Sequence, residues 1–283
     1  MSETTTAASE VASVGERQER PVLEVRDLTL RFGGVTALTG VSFDVARGGL
    51  TAVIGPNGAG KTSLFNCISG FYRPTSGTIA FDGHDITTLS GHRVPRLGIA
   101  RTFQTPGVFN GSTVLDNLLV GRYRHGVGGV VAGALRLPHV QRDERRQRER
   151  AEDVLELLGM ARHRETLARD LPYGLRKRLD LGRALAMEPA LLLLDEPMAG
   201  MTAEEKAEMS LLMAHARRAL GTTLLLVEHD MGVVMSSATH VVVLDFGRKI
   251  ADGTAEEVRR SPEVIAAYLG MDGAAEADRA EVA

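Results

Sequence analysis

The chain has no tryptophan, a single cysteine, and aromatic residues at only 4 % of its 283 positions. One thiol cannot close an internal disulfide, so a disulfide framework is excluded and a reducing cytoplasm fits. That residue, Cys67, falls on a predicted helix, where it reads as a small buried hydrophobe. An excess of one charge is also missing. With 33 Lys and Arg against 36 Asp and Glu, the net charge is -3, which gives no bulk electrostatic reason to expect nucleic acid or an anionic membrane surface as a ligand. Long apolar runs are absent too. The longest uncharged one, Val127 to Leu135, is broken by glycine and is less than half of the ~20 residues that a membrane-spanning helix needs, so no transmembrane segment is expected. Residues 1–20 are rich in Ser, Thr, Ala and Glu without the apolar centre of a signal peptide, and are expected to form a disordered leader. Residues 271–283 are expected to be a flexible acidic tail. Over the whole chain, a hydrophobic content of 43 % is enough for a substantial core.

What is present is a phosphate-binding pattern: Gly55-Pro56-Asn57-Gly58-Ala59-Gly60-Lys61-Thr62, followed by Ser63. Glycines let backbone N–H groups turn inward around phosphate oxygens at the positive end of the following helix. Lys61 would reach the β- and γ-phosphates, and the Thr62 hydroxyl would ligate Mg²⁺. The context agrees, because Leu50 to Ile54 is an apolar, β-branched run that reads as a buried strand and Lys61 to Ser69 reads as a helix.

Before the loop, Val22 to Phe32 and Val41 to Val45 read as strands with Gly33-Gly34 as a turn between them; after it, Gly77 to Asp82 and Ile99 to Phe103 read as strands. The middle, about 105–187, changes to helical patterns at Thr113 to Gly121, Arg142 to Leu158 and Leu175 to Met187, and is expected to be an inserted helical subdomain. Its Arg-rich stretch, Gln141 to Arg150, is mixed in sign and reads as a solvated helix face with i,i+4 pairs. The last third alternates strand and helix at Leu191 to Leu194, Ala203 to Leu220, Thr223 to Val227, Met231 to Ser237 and Val241 to Leu244, which argues for a parallel sheet covered by helices.

Leu191-Leu-Leu-Leu-Asp195-Glu196 is an apolar strand ending in two carboxylates, a means of presenting acids at the C-terminal edge of a buried parallel sheet. It matches a Walker B element. Asp195 would hold Mg²⁺, and Glu196 would orient and polarise the water that attacks the γ-phosphate.

With these motifs in this order, residues from about Val22 to Leu269 resemble the ATP-binding cassette (ABC) ATPases. The resemblance implies an α/β P-loop NTPase fold: a RecA-like parallel core, an antiparallel β subdomain and an inserted helical subdomain, in one ATPase domain over 21–270. It further implies that Phe32 stacks on adenine, that Gln104, 43 residues after Lys61, is the Q-loop glutamine serving catalysis and the metal shell, and that His229 is the switch histidine touching the γ-phosphate. Leu171-Pro172-Tyr173-Gly174-Leu175 stands where the family usually has Leu-Ser-Gly-Gly-Gln, 24 residues before Asp195. Pro172 replaces the hydroxyl donor, so nucleotide contact there would come from backbone N–H groups, with Gly174 allowing close approach. Thr202 stands where the family often has aspartate in the D-loop, Met198-Ala-Gly-Met-Thr202.

Phe71-Tyr-Arg-Pro-Thr-Ser-Gly77, Arg101-Thr-Phe-Gln104, Pro172-Tyr-Gly174, Ala199-Gly-Met201, Glu228-His-Asp-Met231 and Ala267-Tyr-Leu-Gly270 narrow the likeness to the ATPases of branched-chain amino acid importers. That implies ATP and Mg²⁺ as cofactors and a head-to-tail dimer with a second ATPase subunit, itself or a paralogue. It also implies two membrane permease subunits, an extracytoplasmic substrate-binding protein met indirectly, and a peripheral place on the cytoplasmic face of the cell membrane. Urea or short amides as cargo, a lipopolysaccharide-type exporter, and a soluble non-transport ABC ATPase remain as alternatives.

Overall fold

The computed structural model describes residues 20–123 and 138–268. The expected leader up to residue 19, the 127–135 stretch and the acidic tail lie outside the described residues. In chain order the elements are β1 (Leu23–Phe32), β2 (Val35–Val45), β3 (Leu50–Ile54), α1 (Lys61–Ile68), β4 (Ser76–Phe81), β5 (His84–Asp85), α2 (Val94–Leu97), β6 (Ile99–Arg101) and α3 (Val114–Arg122). Then follow α4 (Pro138–Leu157), α5 (Tyr173–Leu185), β7 (Leu191–Asp195), α6 (Ala203–Leu220), β8 (Thr223–Val227), α7 (Met231–Ser237), β9 (His240–Asp245), β10 (Arg248–Gly253) and α8 (Ala255–Arg260). They fall into two compact units, one holding the residues up to Val94 and from Thr223 onward, the other Pro95–Thr222.

The first unit contains an antiparallel sheet in the order β2-β1-β4-β5 and the strands β10-β9-β3-β8. β3 pairs in parallel with both β8 and β9, and β10 closes on β9 as an antiparallel hairpin. Every residue of β3 and β8 is buried, which is why both read as unbroken apolar runs and not as alternation. Ala52, Ile54, Val241 and Val243 pack with Val234 of α7 and Val258 of α8. The second strand starts six residues earlier than its pattern suggests, because Phe32 pairs with Val35 and Arg31 with Thr36 across the Gly33-Gly34 turn. Val35 and Thr36 are exposed, so pairing and not burial makes them strand. β10, with no expected counterpart, is likewise an edge strand without a fully buried residue.

In the second unit β6 and β7 pair in parallel, with Arg101 opposite Leu193, and the Thr102 N–H extends the ladder to Leu193 O at 2.9 Å. Two glycines let α3, α4 and α5 pack closely. A Cβ at Gly121 would stand 2.4 Å from the Arg183 carbonyl oxygen, and one at Gly182 would stand 2.2 Å from Leu158 Cδ1. Most of the Arg-rich stretch is exposed, as expected of a solvated helix face, but two of its residues are not. Helix α4 begins at Pro138, and its Asp143 and Gln147 are buried. Gln147 accepts from Arg122 Nε of α3 at 2.9 Å and donates to Asp143 at 3.2 Å, while Arg122 also donates to the Ala186 carbonyl at 2.9 Å. Along the helix, Asp143 pairs with Arg146 and Arg150 with Asp153 at i,i+3 spacing. A mixed-charge helix conceals a buried polar face because charge pattern alone does not report what a neighbouring helix brings to it.

Candidate functional site

In the first unit the phosphate loop leaves β3 with Gly55, Gly58 and Gly60 at φ of 147°, 82° and 100°. Two of these positions are also sterically closed. A Cβ on Gly55 would lie 2.0 Å from Leu244 O, and one on Gly60 would lie 2.7 Å from Ala37 O. The loop is held from below as well, where the Gly247 N–H donates to Ala59 O at 3.0 Å. Helix α1 begins at Lys61 with Gly60 as its N-cap and no side-chain cap. Its first-turn N–H groups have no acceptor within the helix, and the helix dipole adds positive potential there, so the segment suits a phosphate.

The Lys61 side chain is buried against this loop, its Nζ donating to Gly55 O at 2.6 Å and Pro56 O at 2.8 Å. Pro56 is half-buried and Ala59 buried, whereas Asn57 and Gly58 are exposed; Thr62 presents its side chain to solvent and Ser63 is half-buried. His229 lies at the same edge: Val53 of β3 is in register with Val227 of β8, and Gly55 and His229 each stand two residues beyond that pair. The His229 ring is exposed while its N–H donates to the buried Glu228 carboxylate at 3.0 Å. Asp230 caps α7, accepting from the N–H groups of Gly232 and Val233 at 3.1 and 3.3 Å. Phe32, exposed at the end of β1, meets the Tyr72 ring edge-on at 5.1 Å. Cys67, buried in α1, has its thiol pushed up to about 11 by desolvation.

In the second unit the two acids are both engaged by the segment that ends β6. Arg101 Nη2 donates to Asp195 Oδ2 at 2.8 Å, and Gln104 Nε2 donates to Glu196 Oε2 at 2.8 Å. Glu196 has φ of 48°, a left-handed turn that takes the chain out of β7. Lys177, buried on α5, donates to the carbonyls of Gln104 at 2.6 Å and Glu196 at 3.1 Å, joining the two loops. Asp195, Glu196 and Gln104 are therefore brought together, and Lys177 ties them to the helix that begins with Pro172-Tyr173-Gly174.

Pro172 is the N-cap of that helix and gives it no side-chain cap, so its first N–H groups are available to an acceptor from outside the helix. Pro172 and Tyr173 are exposed. The Tyr173 hydroxyl donates to Ala199 O at 3.3 Å, and a Cβ on Gly174 would lie 2.3 Å from Glu205 Oε1. Glu205 is fixed by Thr202, whose hydroxyl accepts from the Glu205 N–H at 3.2 Å and whose own N–H donates to Glu205 Oε2 at 2.9 Å. The departure at Thr202 is thus a capping box for α6. Farther along α5, burial raises the Asp180 carboxyl above the usual carboxylate range against the pull of Arg183 and the Gly107 N–H.

Arg101, Lys177 and Tyr72 were not singled out by the sequence. Arg101 belongs to the Arg101-Thr-Phe-Gln104 run, but a strand-end arginine carries no pattern that names its carboxylate. Lys177 sits in the Leu175 to Met187 helical pattern, where a lysine by itself does not announce a buried contact. Thr62 in the first unit carries a hydroxyl and Asp195 in the second a carboxylate, both oxygen donors of the kind a hard cation takes, and among the described residues no cluster of three or more His, Cys, Asp or Glu could cage a metal. Mg²⁺ is commonly held in this way, by one or two protein oxygens together with substrate phosphates and water.

The family model described as ABC transporter matches residues 38–199, and that described as branched-chain amino acid ATP-binding cassette transporter matches residues 248–270. The chain is 44 % identical over 251 residues to the high-affinity branched-chain amino acid transport ATP-binding protein BraF of Pseudomonas aeruginosa, covering 89 % of this chain and 98 % of that one. It is 40 % identical, with the same coverage, to LivG of Escherichia coli, which bears the same description. Among solved structures, the ADP conformation of an ATP-binding cassette of an ABC transporter aligns with a TM-score of 0.77 at 32 % identity, over 88 % of this chain and 99 % of that one. The antiparallel sheet, the parallel strands and the helices described above are the ABC ATPase fold. Among the described residues no helix is long and apolar enough to cross a membrane. The chain belongs to the ABC transporters, as an ATP-binding, ATP-hydrolysing subunit of the branched-chain amino acid transport family.

Proposed function

We propose that this chain powers the import of branched-chain amino acids from the cytoplasmic face of the membrane, as one of two ATPase subunits docked on two permeases fed by an extracytoplasmic binding protein. The observation that carries the chemistry is the pair of acids ending β7, each already hydrogen-bonded by the segment that ends β6. Lys61 and the backbone N–H groups of residues 55–63 bind and orient the triphosphate. Phe32 stacks on the adenine. Thr62 and Asp195, with Gln104 assisting, would hold Mg²⁺, which would draw charge from the phosphate oxygens and ease departure of ADP from the γ-phosphorus.

Glu196 accepts a hydrogen bond from the attacking water and aligns it in line with the leaving group. His229, exposed at the end of β8, donates to the γ-phosphate as charge develops there. Catalysis of this kind is positioning and electrostatics, with no covalent enzyme intermediate. Pro172, Tyr173 and Gly174 would serve the nucleotide of the other ATPase subunit through backbone N–H groups at the start of α5. One chain therefore supplies half of each site, and γ-phosphate contacts bias the pair between joined and parted states. Residues 21–270 act as a single ATPase domain. Its helical segment, about 105–187, receives the state of Gln104 and passes it to a permease.

The test is affinity capture of the Glu196→Gln form from detergent-solubilised membranes with ATP present. Two multi-span permeases and a second ATPase subunit are the expected catch. A catch of soluble proteins or nucleic acid alone overturns the reading. Uptake of leucine, isoleucine and valine should fall in cells lacking this subunit, and unchanged uptake would remove them as the cargo.

A further inference from the structure

The carboxylate assigned to the metal is not waiting in water. β6 and β7 lie side by side and end in Arg101 and Asp195, whose side chains are only 7 % and 9 % exposed and meet at 2.8 Å. The guanidinium also lies over the Phe103 ring, its Cζ 5.1 Å from the centroid. A carboxylate buried to this degree needs a counter-charge, because removing one partner of a buried ion pair leaves the other charge uncompensated in a weakly screening medium. Arg101 fills that need here. A divalent cation approaching the same carboxylate would meet a full positive charge a few ångströms away, with little water between them.

We infer that Arg101 is a positioning residue that serves as the resident counter-ion of Asp195 and competes with Mg²⁺ for it. The inference rests on the reading of Asp195 as a metal ligand. The metal-free chain keeps Asp195 neutralised and aimed by Arg101. When the metal arrives the guanidinium yields Oδ2, retaining its contact with Phe103. Asp195 is paired in both states, and metal affinity is set lower than the carboxylate alone would give. This differs from simple support, in which losing Arg101 would misplace Asp195 and weaken the metal.

The measurement is Mn²⁺ binding, by electron paramagnetic resonance of the free ion, to the full chain saturated with a non-hydrolysable ATP analogue. Arg101→Met should bind Mn²⁺ about tenfold more tightly than wild type, since the opposing charge is gone. Its metal-free form should melt at a lower temperature, and Mn²⁺ with the analogue should raise that temperature more than it does for wild type. Arg101→Gln, which keeps a hydrogen-bond donor for Asp195 without the charge, carries the same titration and the same expected tightening if the Met form does not fold. Asp195→Asn should weaken Mn²⁺ binding. Weaker or unchanged affinity in the Arg101 variants, with weakening in Asp195→Asn, overturns the competition and leaves Asp195 as a ligand. Unchanged affinity in Asp195→Asn overturns the metal reading itself.

Discussion

Glu196 and Asp195 are neighbours with different surroundings: Asp195 is buried on Arg101, while Glu196 is half-buried and accepts from the amide of Gln104. Asp195 is held by a cation that a metal would have to displace, whereas Glu196 is assigned to orienting the water and not to binding the nucleotide. Glu196→Gln should therefore keep ATP affinity while turnover falls by about 100-fold or more, within the usual contribution of a positioned base; equilibrium binding and phosphate release measured side by side check both halves. Cys67 makes the opposite kind of prediction. With its thiol pushed up to about 11 and its side chain buried, at pH 8 roughly one molecule in a thousand carries the thiolate. Iodoacetamide should leave the folded chain unlabelled and label it quickly in denaturant. The linked stability effect has one sign. The unfolded thiol ionises first, so the contribution is fully present below about 9, the ordinary value, and declines as pH rises toward about 11.

At the scale of elements, close packing in the second unit depends on which glycines have room. Gly121 faces the Arg183 carbonyl, so Gly121→Ala should destabilise the chain by about 1–3 kcal/mol, the usual cost of overpacking. Gly111, where an added Cβ meets nothing within 4 Å, is the control, and Gly111→Ala should be close to neutral in the same denaturant titration. Thr202→Ala removes the capping box of α6 and should cost about 1 kcal/mol, whereas Thr202→Asp should hold the cap. Burial decided which elements were legible. β3, β7 and β8 are buried throughout and appear in the sequence as apolar runs. β10 and the first residues of β2 owe their strand character to hydrogen bonds with a neighbour, and hydrophobic pattern does not encode that.

For the whole molecule, a site completed by a second subunit predicts concentration-dependent chemistry. ATPase activity per chain should rise with chain concentration, or with added paralogue if that is the partner, and a constant specific activity across a hundredfold dilution would show that one chain suffices. The sequence by itself determined the phosphate loop, the acid pair and the family, because each is a local run of residue types whose spacing carries the chemistry. It also determined the buried parallel strands, because burial on both faces leaves only apolar residues. Only the tertiary structure decided that Arg101 pairs with Asp195, that Gln104 and Lys177 converge on Glu196, and that an Arg-rich helix hides Asp143 and Gln147 against Arg122. Those pairings join residues distant in the chain, and a charged side chain reads the same in sequence whether its partner is water or a buried acid.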